Sequence, residues 1–206
     1  MASGEQELEV KFLVVDLSPF EEKLKQFGAT LVQPRTHEIN LRFDTPDQSL
    51  TRSYQVLRLR QDQEARLTYK GPGELLEGIR LRREIEFSVS DFKSAQSFLE
   101  ALGYQVSFMY EKYRAVYNLD DVLVMLDEMP IGYFLELEGP NPEVIISANQ
   151  KLGLKWETRI LDSYTALFDR VRESCGLKFR DLNFANFNGL QITPETMNLE
   201  YSEADR

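Results

Sequence analysis

From Glu7 to Phe12 the chain alternates charged and apolar residues, with Glu7, Glu9 and Lys11 on one side of a strand and Leu8, Val10 and Phe12 on the other. The two-residue period keeps returning. Arg58 and Arg60 alternate with Leu57 and Leu59, and Arg66, Thr68 and Lys70 with Leu67 and Tyr69. Arg80, Arg82, Glu84 and Glu86 lie opposite Leu81, Ile85 and Phe87, while Arg83 interrupts the apolar side. Lys112, Arg114 and Val116 share a face; Leu123, Met125 and Asp127 oppose Val122, Val124 and Leu126; Glu136 and Glu138 repeat the opening pair of carboxylates. A further strand over residues 36–44 makes eight candidates. One such strand normally keeps its charges in water. Eight in succession turn their charged faces to a common interior, and a barrel lined by polar groups is a binding tunnel.

Between the strands the period lengthens to that of helices. Ser18 and Pro19 read as N-cap and first helical residue of a segment carrying Phe20, Leu24 and Phe27 and ending at Gly28. Ser90 and Asp91 cap a second helix with an apolar stripe of Phe92, Ala95, Phe98, Leu99 and Leu102. Asn141 and Pro142 start a third that runs to about Leu152, and a long last helix is predicted from about Thr158 to Ser174. Gly71 to Gly73 ends a strand, and Thr45 to Asp47 marks a turn. Beyond Gly176 the periodicity fades. Phe179, Leu182, Phe184 and Phe187 suit a short segment tucked against the body, and the residues after Thr193 read as a poorly ordered tail. The expectation is one α+β domain, an eight-stranded antiparallel barrel flanked by helices over 1–175, followed by a C-terminal extension over 176–206.

Composition narrows the chemistry. The 206 residues are 42% hydrophobic and carry a net charge of −10, which argues against nonspecific binding to nucleic acid or to an anionic membrane. No apolar run reaches the length of a membrane span and the N-terminus lacks an export signal, so a cytoplasmic protein is expected. Cys175 is the only cysteine and His37 the only histidine, which excludes an intrachain disulfide, a Ser-His triad and a multi-histidine metal site. His37 itself reads as a structural or surface residue. Catalysis is left to carboxylates, lysines, arginines and hard metal ions.

The inward-facing groups are of two kinds. Glu7, Glu9, Glu84, Glu86, Glu136 and Glu138 are acidic; Lys11, Arg58, Arg60, Lys70, Arg80, Arg82, Lys112 and Arg114 are basic. Guanidinium and ammonium groups suit a polyanion with several phosphates. Carboxylates suit Mg²⁺ or Mn²⁺, which bridge them to phosphate oxygens. Together they describe a site for a triphosphate. Lys11 is placed either to orient the nucleophile or to touch a phosphate. No P-loop signature and no G-x-G-x-x-G competes with this reading.

These residues resemble the CYTH domain of the triphosphate tunnel metalloenzymes, a superfamily of class IV adenylate cyclases, thiamine triphosphatases and inorganic triphosphatases. The hallmark E-x-E-x-K matches Glu7, Glu9 and Lys11, and the resemblance continues through Asn40 to Asp47, Leu57 to Arg60, Leu67 to Gly71, Arg82 to Glu86, Lys112 to Arg114 and Asp127 to Glu138. It implies metal-ligand roles for Glu7, Glu9, Glu136 and Glu138, with Glu84 and Glu86 supporting or ligating. It implies triphosphate contacts for Lys11, Arg58, Arg60, Lys70, Arg82, Lys112 and Arg114, and places Lys11, Glu9 and Glu84 nearest the chemistry. Arg42 departs from the tyrosine that members often carry, which leaves its strand's inward role open.

The expected activity is metal-dependent hydrolysis of an inorganic or organic triphosphate, with conversion of ATP to cyclic AMP as the alternative. Both use one triphosphate grip, and the cyclase also needs a place for adenine, for which Tyr54, Tyr69 and Trp156 are the aromatic candidates, Trp156 reading first as core. A non-catalytic polyphosphate sensor fits less well, because an anion binder gains nothing from carboxylates beside its ligand unless cations are bound. The expected partner is a small-molecule triphosphate, and the protein is expected as a monomer or homodimer.

Overall fold

The structure, a computed structural model, describes residues 6–203. Its strands are β1 (Gln6–Val14), β2 (Thr30–Asp44), β3 (Val56–Gln61), β4 (Ala65–Leu76), β5 (Ile79–Val89), β6 (Gln105–Leu119), β7 (Val122–Met129) and β8 (Gly132–Glu138). All neighbours are antiparallel, and the sheet closes on itself in the order β1-β5-β4-β3-β2-β6-β7-β8. In this ring of eight, β2 stands opposite β1. Closure depends on β1, which pairs β8 from Glu9↔Glu138 to Val14↔Tyr133 and β5 through Glu7↔Arg82.

The helices are α1 (Ser18–Gln26), α2 (Ser49–Arg52), α3 (Phe92–Ala101), α4 (Pro142–Leu152) and α5 (Tyr164–Cys175). They cover the apolar outer faces that the alternation creates. Leu8, Val10, Phe12, Val124, Leu126, Leu135 and Leu137 pack against Phe20 and Leu24 of α1 and Ile145 and Leu152 of α4. On the far side Phe43 and Leu59 meet Leu99 of α3. A third cluster joins Leu13, Phe108 and Phe134 of the strands to Tyr164, Leu167 and Phe168 of α5. Leu13 and Phe134 continue the inward rows of β1 and β8, so α5 packs on the apolar end of those rows.

Several expectations need correction. The N-cap of α1 is Leu17, and Ser18 gives its N–H and hydroxyl to Asp16 Oδ1, each at 3.0 Å. Phe27 lies past the helix end and is 49% exposed, and Phe98 and Leu102 of α3 are also exposed, because α3 turns only Leu99 fully onto the sheet. β4 does not stop at Gly71: a register shift between Lys70 and Gly73 absorbs the Gly-Pro-Gly and pairing resumes to Leu76. The last helix starts at Tyr164, six residues later than the pattern suggests. Residues 156–158 form a separate 3₁₀ turn, Ile160 bridges back to Lys11, its N–H 2.8 Å from the Lys11 carbonyl, and Ser163 provides the cap. Residues 194–203 of the expected tail do not trail away, and its last three residues lie outside the described ones. Met197 and Ser202 are buried, and Ser202 donates its N–H to the Leu13 carbonyl at 2.9 Å. His37 pairs with Glu111 at 2.7 Å and packs on Tyr113.

Candidate functional site

The barrel encloses a cavity of about 490 Å³. Eight cations line it, Lys11, Arg42, Arg58, Arg60, Lys70, Arg82, Lys112 and Arg114, with seven carboxylates, Glu7, Glu9, Glu38, Glu84, Glu86, Glu136 and Glu138. They are not mixed at random. The consecutive strands β8, β1 and β5 carry six of the carboxylates, while β3, β2 and β6 across the ring carry Arg58, Arg60, Arg42, Lys112 and Arg114. Alternation sets which residues face inward; closure between β1 and β8 turns two sequence-distant carboxylate pairs into one wall.

On that wall Arg82 donates from Nε to Glu7 and from Nη2 to Glu9, each at 2.9 Å, and Lys70 joins Glu7 to Glu84, 2.9 Å from the latter. Burial would raise the Glu7 carboxyl, but Lys70 and Arg82 outweigh it and hold it below its ordinary range. Glu138 is only partly offset by Lys70. Burial and the neighbouring Glu7, Glu9 and Glu84 push it up to about 7. Glu84 is also raised, by burial and then by Glu7 against the pull of Lys70. Glu136 stands apart: Arg114 and Lys11 outweigh its burial and hold it well below the ordinary range, with Lys11 3.6 Å away. Glu86 is drawn across to the basic side, 3.3 Å from Arg58 and 3.1 Å from Arg60, and accepts the Thr68 hydroxyl at 2.7 Å.

The expected ligand set therefore divides. Glu7, Glu9, Glu84 and Glu138 form one group around Lys70 and Arg82, whereas Glu86 and Glu136 are drawn to the arginines of the basic wall. Among the described residues no three carboxylates stand at metal-holding spacing, since Arg82 and Lys70 occupy the space between Glu7, Glu9 and Glu84. The donor chemistry still fits a hard divalent cation. All donors are oxygens, and the raised Glu138 marks a local excess of negative charge that a cation would relieve. Arg80, expected inside with the others, does not line the cavity.

Residues to which the sequence reading gave no role complete the site. Asp127 is fully buried behind the basic wall and accepts from Lys112 at 3.0 Å, from Arg114 Nε at 2.6 Å and from the Tyr164 hydroxyl at 2.8 Å. Glu38, Asn40 and Arg42 form the inward row of β2 opposite Glu7 and Glu9. Glu38 is 3.7 Å from Lys112, and its burial is outweighed by Lys112, Arg114 and Arg60, which lower it to about 2. The amide of Asn40 is buried with neither atom bonded. Ser163, Tyr164 and Thr165 at the start of α5 also line the cavity. The question left open about Arg42 is answered by the lining: it faces inward and donates to Thr165 Oγ1 at 2.7 Å.

None of the aromatic candidates reaches this cavity. Tyr54 is 82% exposed on the surface, Tyr69 sits with Leu57 and Ile85 on the outer face of its strands, and Trp156 packs against Phe12 beneath Arg159. The aromatic residues that do line it, Tyr110 and Tyr164, are buried and engaged through their hydroxyls by Arg58 and Asp127. No helix among the described residues is long and apolar enough to cross a membrane.

Solved structures share this architecture. A candidate adenylate cyclase of Vibrio parahaemolyticus superposes with a TM-score of 0.72 at 25% identity, over 81% of this chain and 99% of its own. The PH1012 protein of Pyrococcus horikoshii gives 0.65 at 28% identity, over 77% and 96%. A candidate adenylyl cyclase of Hippeastrum, described as having a dominant triphosphatase activity, shares the fold at 0.59 and 20% identity, over 79% and 95%. No curated protein matches the chain. All eight strands of the tunnel, with both charged walls and the E-x-E-x-K strand at the centre of the carboxylate wall, fall within residues 5–164, which match the CYTH domain, and the chain belongs to the CYTH family.

Proposed function

We propose that this protein is a divalent-metal-dependent triphosphatase whose substrate is held by its phosphates alone, inorganic triphosphate foremost. The observation that carries the reading is the carboxylate wall of β8, β1 and β5 facing the cationic wall of β3, β2 and β6. With Asp127 counted, eight cations meet eight carboxylates, so the interior is balanced as it stands. A bare triphosphate would upset that balance. Mg²⁺ or Mn²⁺ bound with the triphosphate cancels about half of its charge, and each component finds a wall of opposite sign.

Glu7, Glu9 and Glu138 would hold the metal, which supplies charge neutralisation at the phosphoryl group. Arg58, Arg60, Lys112 and Arg114 take the non-bridging oxygens, and Asp127 keeps the last two aimed. Lys70 and Arg82, which bridge the carboxylates in the structure described here, turn to phosphate oxygens when the wall is occupied. Glu84, raised by burial and by Glu7, accepts a proton from the attacking water, with Lys11 between Glu9 and Glu136 orienting it. The water oxygen bonds to the terminal phosphorus as the bond to the bridging oxygen breaks, giving orthophosphate and diphosphate.

Adenylate cyclase is the second reading. It is favoured by the name given to the Vibrio relative and by an apolar portion of the lining, Val32, Val116, Leu123 and Met125, that suits an adenine ring. Among the described residues no aromatic side chain of the lining is free to stack a base, which ranks it second. Purified protein with Mg²⁺ or Mn²⁺ is to be tested on inorganic triphosphate, ATP and thiamine triphosphate, with phosphate, pyrophosphate and cyclic AMP assayed separately. Phosphate from inorganic triphosphate is expected; cyclic AMP with equal pyrophosphate would reverse the ranking.

A further inference from the structure

Every cation in the cavity lining but one has a carboxylate within 4.0 Å among the described residues. Arg42 is the exception. Its guanidinium gives one hydrogen bond, to Thr165 Oγ1 in the first turn of α5, and the residue is half-buried. Burial acts to strip its charge, as do Arg82 and Arg58, its register partner across β2 and β3, against the pull of Tyr110 and Asp44. A half-buried guanidinium beside other guanidiniums, with most of its donors unused by carboxylate, is suited to an anion.

Its place restricts which part of an anion it can meet. Arg42 is the last inward residue of β2 to line the cavity, and on β6 its partner Phe108 belongs to the apolar cluster, stacked on Phe168 of α5. Beyond Arg42 no residue of β2 lines the cavity: Asp44, next on the row, is buried and takes its hydrogen bonds from the N–H groups of Thr45, Leu50 and Thr51. Accordingly, we propose that Arg42, held by Thr165, is a subsite for the phosphate at one end of the bound polyphosphate, so that it reads the length of the phosphate chain. This rests on the triphosphatase reading and adds a specificity residue to it.

The test is calorimetric titration of the full chain with tripolyphosphate and with pyrophosphate, in EDTA and again with Mg²⁺ in a Glu84→Gln background, which removes the proposed base so that turnover plays no part. Arg42→Ala is expected to weaken tripolyphosphate at least tenfold and pyrophosphate less than threefold, Arg42→Lys to recover most of the loss, and Thr165→Val to give a smaller loss of the same selectivity. Arg52→Ala, which removes one surface charge next to Asp47, controls for net charge. Equal losses for the two anions, or none, overturn the proposal while the triphosphatase reading stands. Should the wild-type protein bind neither anion, with or without metal, the triphosphatase reading fails first. If Arg42→Ala does not fold, Arg42→Lys and Thr165→Val decide: no change in the tripolyphosphate-to-pyrophosphate ratio in either variant overturns the proposal.

Discussion

Arg114 on β6 and Asp127 on β7 are register partners, and their side chains meet inside the barrel, Nε 2.6 Å from Oδ1. The same carboxylate accepts from Lys112 and from the Tyr164 hydroxyl, so one buried acid ties two cations of the phosphate-facing wall to α5. Asp127→Asn would leave two buried cations short of countercharge, and it should destabilise the fold by about 3–5 kcal/mol. Tyr164→Phe, which removes a single hydrogen bond to Asp127, should cost about 1 kcal/mol. Urea titrations of the two variants check the ordering. Equal effects would mean that Asp127 serves as an anchor for α5 alone.

Glu38 provides a pH signature. Lys112, Arg114 and Arg60 outweigh its burial and bring its carboxyl from the usual 4.5 to about 2 in the folded protein. A depressed acid contributes stability that is present above its unfolded value and is lost as pH falls toward its folded one. The window is therefore pH 4.5 down to 2, and the contribution at neutral pH is about 3 kcal/mol by linkage. Glu38→Gln should lower the midpoint of thermal unfolding at pH 7 and close most of the gap to wild type by pH 2–3. A difference that is the same at pH 7 and pH 3 would remove Glu38 from the charge balance.

The strand faces of Glu7, Glu9, Arg58, Arg60, Lys70 and Glu136 were legible because period-two alternation is a local property and each strand states it alone. The start of α5 was not. Ser163 and the apolar stripe of Tyr164, Leu167, Phe168 and Val171 follow a 3₁₀ turn that a helical pattern runs straight through, and what stops it is the bridge from Ile160 to Lys11, a contact across some 150 residues. Asp127 was hidden for a related reason. It follows Leu123 and Met125 on its face, and only the β6 partner shows that it sits beneath two cations. The division of the carboxylates into a group around Lys70 and Arg82 and two members drawn to the basic wall depends on ring closure, which no single strand records.

For Glu9, which shares Arg82 with Glu7 and pairs in register with Glu138, replacement by Gln keeps the shape and removes one charge from the metal-facing wall. Metal-dependent turnover should fall at least about 100-fold, with the required Mg²⁺ or Mn²⁺ concentration rising. Circular dichroism melts should change little, since relieving crowding at Glu138 offsets the lost pair with Arg82. Full activity at ordinary metal concentration would refute a ligand role for Glu9.

Lys70 answers a different question, because it is buried between Glu7 and Glu84 and so serves either to neutralise the acidic wall or to hold substrate. Lys70→Met separates the two. If Lys70 only neutralises, the variant should need less metal and bind triphosphate as before, since a cation takes over its place beside Glu7 and Glu84. If it turns to the substrate, KM for inorganic triphosphate should rise about tenfold, the worth of one charge-assisted hydrogen bond. That penalty should narrow as ionic strength increases, because the attraction that Lys70 adds in the wild type is itself screened by salt. The expected outcome is the second, measured as KM between low and high salt at saturating Mg²⁺; an unchanged KM at both would assign Lys70 to the carboxylates alone.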